Sequence, residues 1–168
     1  QLRFNDPRRF GSVHFTNSPT NHWLIKNLGP EPLGDQFSAN YLSKVSPQRR
    51  VAIKQFLMNN RIVVGVGNIY ASEALFRAGV HPKRSAGRIA ERRFELLVDA
   101  VRAVLNEAIA AGGTTLRNFV DGDGIPGYFQ RALSVYGRAN ELCTECETPI
   151  KHCVIGQRAT YYCPQCQR

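Results

Sequence analysis

No apolar run in this chain is long enough to span a bilayer, and no secretory signal is visible. The longest apolar stretch, Ile62 to Val66, is short and contains Gly65. A membrane partner is therefore not expected, and the chain reads as cytoplasmic. Acidic residues are scarce as well: 13 Asp+Glu stand against 22 Lys+Arg, a formal net charge of +9. That excess points to a polyanion, nucleic acid first, although small basic proteins also carry such charge for solubility. Cysteine is present in an odd number, five, which argues against a disulfide framework and for a metal. No internal repeat or low-complexity tract appears. What remains is globular: 168 residues, 43% hydrophobic and 21% charged, suit one or two small domains with a modest core.

The first residues, QLRFNDPRRFG, lack an initiator methionine and begin inside what reads as a strand. The expectation is of a portion whose upstream part is missing. Three regions then separate. Residues 1–33 mix short β-like runs with turn residues, as in RRFGSVHF and WLIKNLGPEP, and read as the end of a β domain. From about Gly34 the pattern turns helical. SANYLSKV suits a short helix. SPQRRVAIKQFLMNN suits another, with Ser46 as N-cap and Pro47 in the first helical position. NIYASEALFRAGV predicts a helix from Asn68 to Gly79. In a longer one, Phe94, Leu97, Val98, Val101, Leu105, Ala108 and Ile109 form one apolar stripe that Gly112-Gly113 ends. GTTLRNFVDGDGIPGYF, residues 113–129, reads as a Gly-rich link, either a functional loop or a spacer.

The tail carries the most specific motif. Cys143, Cys146, Cys163 and Cys166 are spaced C-x2-C-x16-C-x2-C, which suits one Zn2+ in a tetrahedron of thiolates. Four ligands close such a site, so the metal is structural. Four thiolates and one Zn2+ change the charge by −4 and +2, to about +7. TPIKHCVI, a turn at Gly156-Gln157 and RATYYC read as the hairpin between the pairs; Cys153 fits neither pair and reads as a buried or idle thiol. Arg158 then lies near the hairpin tip, either as a guanidinium fork for phosphate or as an ordinary exposed arginine.

Two further stretches suggest a nucleic-acid grip. In VVGVGNIYASE, Gly65 and Gly67 precede a helix beginning at Asn68. A glycine turn lets a ligand approach, and free N–H groups at a helix start attract anions; a tight interhelical turn is the other reading. Arg49, Arg50 and Lys54 make the preceding helix basic. In DPRRFG, a strand would put Arg8 and Phe10 on one face and Arg9 on the other. That suits either entry into a base stack or an edge strand guarded by charge.

DPRRFG, LGPEPL, AIKQFLMNNRIVVGVGNIYASEALFRAGVHP, GGTTLRNF, GIPGYF, VYGR and QRATYYCPQCQ occur in this order across essentially the whole chain. In this it resembles the bacterial formamidopyrimidine-DNA glycosylases. The resemblance implies an α+β multidomain fold: the remnant of a β-sandwich (1–33), a helix–two-turns–helix domain (34–129) with a lesion-capping loop (113–129), and a four-cysteine β-hairpin zinc finger (130–168). It implies base excision repair of oxidised purines such as 8-oxoguanine and formamidopyrimidines, followed by strand nicking through β,δ-elimination, with the damaged nucleotide flipped out. The implied partner is double-stranded DNA bearing oxidised bases, met by a monomer at the bacterial nucleoid. By the same resemblance Arg8 and Phe10 fill the void left by the flipped base, and Arg9 contacts DNA. Arg50, Lys54 and Asn68 hold the backbone, and Arg158 contacts phosphate and serves as proton donor in δ-elimination. The family's N-terminal proline nucleophile, with its glutamate and lysine, has no match here: residue 1 is Gln1, and Asp6 and Glu31 sit beside prolines. The expectation is a DNA-binding portion, inactive in isolation. An endonuclease-VIII-like enzyme for oxidised pyrimidines and a non-enzymatic zinc-ribbon module are the competing readings.

Overall fold

Ser38 starts the first helix: its side-chain oxygen accepts a hydrogen bond from the Tyr41 N–H at 3.2 Å. In the computed structural model, which describes residues 3, 4, 6, 9–113 and 133–168, helix α1 runs Ala39–Val45. Helices α2 (Ile53–Leu57), α3 (Asn68–Arg77) and α4 (Glu91–Ala110) follow. Strands β1 (Lys151–Ile155) and β2 (Arg158–Tyr162) then form one antiparallel hairpin.

α4 is the spine of the core. Phe94, Leu97, Val98, Val101, Leu105 and Ala108 are all buried, against Phe37, Leu42, Ile53, Leu57 and Leu75 from the elements before it. Ile109, expected as the last member of the stripe, is 66% exposed. At 100° per residue it lies roughly 60° round the helix from Phe94, at the stripe's edge. Gly112 and Gly113, with φ of 71° and 91°, close the helix as expected. Arg102, from the side of α4, donates to the carbonyls of Pro32, Gly34 and Phe37 and so holds the incoming chain against the core.

The helix expected to open at Ser46 and Pro47 opens at Ile53 instead. Ser46 caps the C-terminus of α1, and Gln48 turns the chain with φ 61°. Residues 49–52 then run extended beside 84–87: Ala86 N–H donates to Val51 O, Gly87 N–H to Arg49 O and Ile53 N–H to Arg84 O. These pairings occupy the backbone groups that a helix would have used, so tertiary pairing overrides local preference. Arg49 and Arg50 therefore precede α2 rather than lying on it.

Among the described residues no strand precedes β1. The segment expected as the end of a β domain holds one short 3-10 turn, Pro19–Asn21. At Arg9 the chain bends: with φ 57°, this residue donates its N–H to Asp6 O at 3.1 Å, and Gly11 N–H donates to the Asp6 carboxylate. A strand is completed by a neighbour that receives its alternate N–H and C=O groups. None lies beside this segment among the described residues. Phe10, Phe15 and Trp23 are 89%, 95% and 64% exposed.

The tail has its own small core. Val135, Cys143, Ile150 and Cys163 bury against Phe76, a residue of α3. α3 therefore serves two clusters, with Ala71, Ala74 and Leu75 turned to the helices. The hairpin turn has φ of 55° at Gly156 and 61° at Gln157, the two left-handed positions of a type I′ turn. A β-carbon on Gly156 would sit 2.3 Å from the Gln55 side-chain nitrogen, so the turn rests against α2.

A carboxylate joins the two cores. Glu73, fully buried on α3, accepts hydrogen bonds from three consecutive backbone N–H groups: Ser134 at 2.8 Å, Val135 at 3.0 Å and Tyr136 at 2.8 Å. Glu73→Ala leaves those donors without an acceptor and is expected to cost at least ~3 kcal/mol of unfolding free energy. Urea denaturation monitored by circular dichroism measures it; a loss below ~1 kcal/mol would mean that water replaces the carboxylate at little cost.

Candidate nucleic-acid interface and metal centre

Two tight turns bring the four cysteines together. Cys143 N–H donates to Thr148 O, Glu147 N–H donates to Cys143 O, and Gln167 N–H donates to Cys163 O. Their four sulfur atoms lie within 4.8 Å of one another. Three of the separations are 3.9 Å (Cys143–Cys166), 3.4 Å (Cys146–Cys163) and 3.4 Å (Cys146–Cys166). A tetrahedron of sulfurs about Zn2+, with Zn–S near 2.3 Å, has edges of roughly 3.8 Å. The donor set therefore fits a metal ion of that size and softness. As thiols the four are ill matched: hydrogen bonding to Thr148 pulls Cys146 down to about 6, whereas burial pushes Cys163 and Cys166 up. A dication at the centre favours the thiolate at all four. Cys153, on β1, stays outside the cluster and is half-buried.

Gln167, one residue past the last ligand, ties this knuckle to the helices. Its carbonyl oxygen accepts from Cys163 N–H at 2.9 Å and its amide donates to Val80 O at 2.9 Å. Lys54 is a second tie. The expectation that it faces a DNA backbone is corrected by the structure: Lys54 has no exposed surface. Its ammonium donates to Ala159 O at 2.9 Å and to Thr160 Oγ1 at 2.8 Å, both on β2. With Arg49 and Arg50 in extended chain, Lys54 sits in the first turn of a five-residue helix that lies under the hairpin. Burial lowers its pKa to about 8, partly offset by the neighbouring Cys153.

Asn68 is the first residue of α3, and no side chain caps that helix. The N-cap is Gly67, so the early N–H groups have no side-chain acceptor. A β-carbon on Gly67 or on Gly65 would meet nothing within 4 Å. Gly65 needs glycine for its φ of 73°; Gly67, in extended backbone, has no such internal requirement. The space in front of the helix is therefore open to a ligand. Asn68 donates its amide to the Tyr136 hydroxyl at 3.1 Å, while its buried Oδ1 has no partner among the described residues. The Tyr136 ring packs edge-on to Tyr161 of β2, with centroids 5.1 Å apart. Asn68 and the hairpin thus belong to one connected surface.

Arg158 opens β2 beside the turn, is exposed, and makes no side-chain hydrogen bond or ion pair among the described residues. Arg50 is exposed too, but in a cleft shared with Arg49 and Arg88. Arg9 and Phe10 are exposed at the bend described above. Arg8 and residues 114–129 of the capping loop lie outside the described residues. The residues not anticipated are Glu73, Tyr136, Thr160 and Gln167. For Glu73 the signal was present: a carboxylate inside the buried run Ala71 to Phe76 needs a partner.

Comparison with known proteins bears on this arrangement. Residues 28–120 match the family described as "Formamidopyrimidine-DNA glycosylase H2TH domain". A formamidopyrimidine-DNA glycosylase of Hahella chejuensis is 56% identical over 168 residues, covering 99% of this chain and 62% of that protein. The chain thus spans about 62% of the length of the curated relatives it matches. The MutM (Fpg) protein of Thermus thermophilus superposes with a TM-score of 0.86 at 40% identity, over 96% of this chain and 62% of that one. A Lactococcus lactis Fpg in complex with abasic-site DNA gives 0.83 at 32% identity, over 91% and 56%. Among the described residues no helix is long and apolar enough to cross a membrane.

Removing the metal with a chelator should collapse hydrogen-exchange protection of β1 and β2 before that of α4, because a closed site contributes folding energy directly. Undiminished protection in the hairpin after verified metal loss would contradict this. Lys54 adds a pH dependence. Below about pH 8 the ammonium is charged in both states and burial penalises the fold. As pH rises through 8 toward 10 the folded state loses its proton first, the unfolded state binds more protons, and the penalty lifts. The stability of the wild type relative to Lys54→Met should therefore rise between about pH 7.5 and about pH 9.5. A constant difference in paired denaturation curves would place the titration elsewhere.

Proposed function

The chain belongs to the family of the formamidopyrimidine-DNA glycosylase H2TH domain, and on that premise we propose that it supplies the DNA grip of a base-excision-repair glycosylase. In this reading the whole enzyme removes oxidised purines, 8-oxoguanine and formamidopyrimidines, and cleaves the strand at the resulting abasic site by β,δ-elimination. It acts as a monomer on double-stranded DNA in the bacterial cytoplasm. The observation that carries the proposal is the uncapped start of α3 behind Gly67, with open space in front of it and the hairpin on the same surface. Free N–H groups at a helix start suit a phosphate, and Asn68 adds an amide whose oxygen has no partner among the described residues. A bare zinc ribbon needs neither feature, which disfavours the non-enzymatic zinc-ribbon module.

Each residue then has a role. Asn68 and the N–H groups behind it take a backbone phosphate. Arg158 takes a second, through a guanidinium whose donors are uncommitted, and delivers the proton in δ-elimination. Arg9 and Phe10, with Arg8, occupy the space vacated by the flipped nucleotide. Arg50 lies further along the backbone. One Zn2+ held by Cys143, Cys146, Cys163 and Cys166 keeps the hairpin rigid when bound, and Lys54 sets its height above α2. The boundaries we assign are 1–33, 34–129 and 130–168. No residue here matches the family's proline nucleophile, so the chain alone binds without cutting.

Two measurements test this. Arg158→Ala should weaken binding to duplex containing 8-oxoguanine by about 1–3 kcal/mol and flatten the dependence of log K on log salt by roughly one phosphate contact. A slope identical to the wild type would remove Arg158 from the phosphate contacts. Borohydride should trap no covalent adduct with this chain alone, and should trap one once a domain bearing the N-terminal proline is joined to it. Absence of trapping in the joined protein, with zinc and fold intact, would leave a DNA binder and not a glycosylase.

A further inference from the structure

Residues 49–52, the extended stretch that displaced the expected helix, lie beside 84–87, which lead into a 3-10 turn at Ala86–Arg88, and the two segments hydrogen-bond through Arg49, Val51, Ile53 and their partners. Their outer surface is rich in cationic side chains. Two clefts adjoin there, of about 660 and 750 Å3, sharing Ser85 and Arg88. Arg49, Arg50, Lys83, Arg84, Arg88 and Arg168 line them, and no Asp or Glu does. Arg49, Arg50, Lys83, Arg84 and Arg88 are exposed and make no side-chain hydrogen bond or ion pair among the described residues. Two arginines elsewhere are neutralised by carboxylates: Arg77 meets Glu107 at 2.6 Å through both nitrogens, and Arg138 meets Glu141 at 2.8 Å.

Unpaired guanidinium groups on a rigid backbone ledge repel one another and gain from an anion that spans them. Their field is felt nearby: His81 is pushed below the ordinary histidine value by burial and then by Lys83 and Arg84. The ledge also connects with the surface described above. The His81 ring packs against Tyr162, the last residue of β2, with centroids 4.6 Å apart, and Arg158 is the first residue of that strand. Strand β2 thus runs from Arg158 at one end to a ring at the other that packs on His81, a residue lining the ledge.

We propose that Arg49, Lys83, Arg84 and Arg88 form a second phosphate-binding ledge, which engages the duplex backbone beyond the segment held by Asn68 and Arg158. The ligand is double-stranded DNA flanking the lesion, recognised by charge and not by sequence. Two adjoining open clefts suit successive phosphates along a strand; an acidic peptide would need apolar contacts, which this arginine surface does not offer. The inference rests on the DNA-binding reading above and extends it to residues that the lesion itself does not need.

The test compares two lesion-centred duplexes, of about 10 and about 30 base pairs, bound by the full zinc-loaded chain across a salt series. For the wild type the longer duplex should bind with the steeper salt dependence. Arg84→Gln combined with Arg88→Gln should leave the short duplex unaffected. On the long duplex it should remove roughly two phosphate contacts' worth of slope, about a tenfold difference in affinity loss between 50 and 200 mM salt. Arg84→Lys with Arg88→Lys keeps the charge and should restore most of that slope, which separates charge from any effect on folding. Equal losses on both duplexes would assign these arginines to the lesion grip and overturn the ledge. Unaltered binding on both would overturn it too, as would displacement of the long duplex's extra affinity by an acidic peptide. A wild type that fails on the short duplex would defeat the glycosylase reading and the ledge together; sound short-duplex binding with no length effect would defeat the ledge alone.

Discussion

Three successive backbone N–H groups pointing at one buried carboxylate hold this molecule together. Glu73 comes from the helical core and its donors from the tail, so the bond set spans two separate hydrophobic clusters, to each of which α3 contributes side chains. A carboxylate with three donors is costly to leave unpaired in the interior, which makes the junction stiff. Tyr136 is one of the donors, and its hydroxyl accepts from Asn68. The same contact that joins the clusters therefore also orients the amide at the start of α3. Arg138 finishes the connection by bonding the carbonyls of Ser134 and Leu142, which fixes the turn leading into the four-cysteine knuckle.

From that junction outward, the hairpin is held at several points of different chemistry. The four cysteines gather at its base, Gln167 links the base to Val80, and the Lys54 ammonium meets the strand midway. Gln55 meets the turn. The exposed Arg158 is the group left over after these contacts are made. Its position is set by the backbone rather than by any partner of its own side chain, and a side chain so placed loses less freedom on meeting a ligand.

Much of this was legible in the sequence where local chemistry decides the outcome. Ser38 caps, Gly79 and Gly112-Gly113 stop helices, and the two C-x-x-C turns converge; each depends on a few neighbouring residues. The apolar stripe of α4 held as far as Ala108 because burial follows helical period. The reading failed where distant chain decides. Ser46 and Pro47 carry good helix-start chemistry, but the pairing of 49–52 with 84–87 lies more than thirty residues away and cannot be seen from either segment. Lys54 resembled its basic neighbours and is buried because of a strand a hundred residues later. DPRRFG has strand-like residues, yet its described members Asp6, Arg9, Phe10 and Gly11 lie in no strand, since alternation needs a neighbour to give it meaning.

The chain's single tryptophan, Trp23, sits in the exposed stretch before α1, near the rings of His14 and His22 and far in sequence from either buried cluster. Its indole is already largely wetted, so its emission is insensitive to melting of the helices or the knuckle. Tyrosines 136, 161 and 162 carry that optical information instead, since they pack at the hairpin seam. Exciting the indole alone therefore signals whatever comes to cover the opening stretch, separately from the tyrosines of the core and seam.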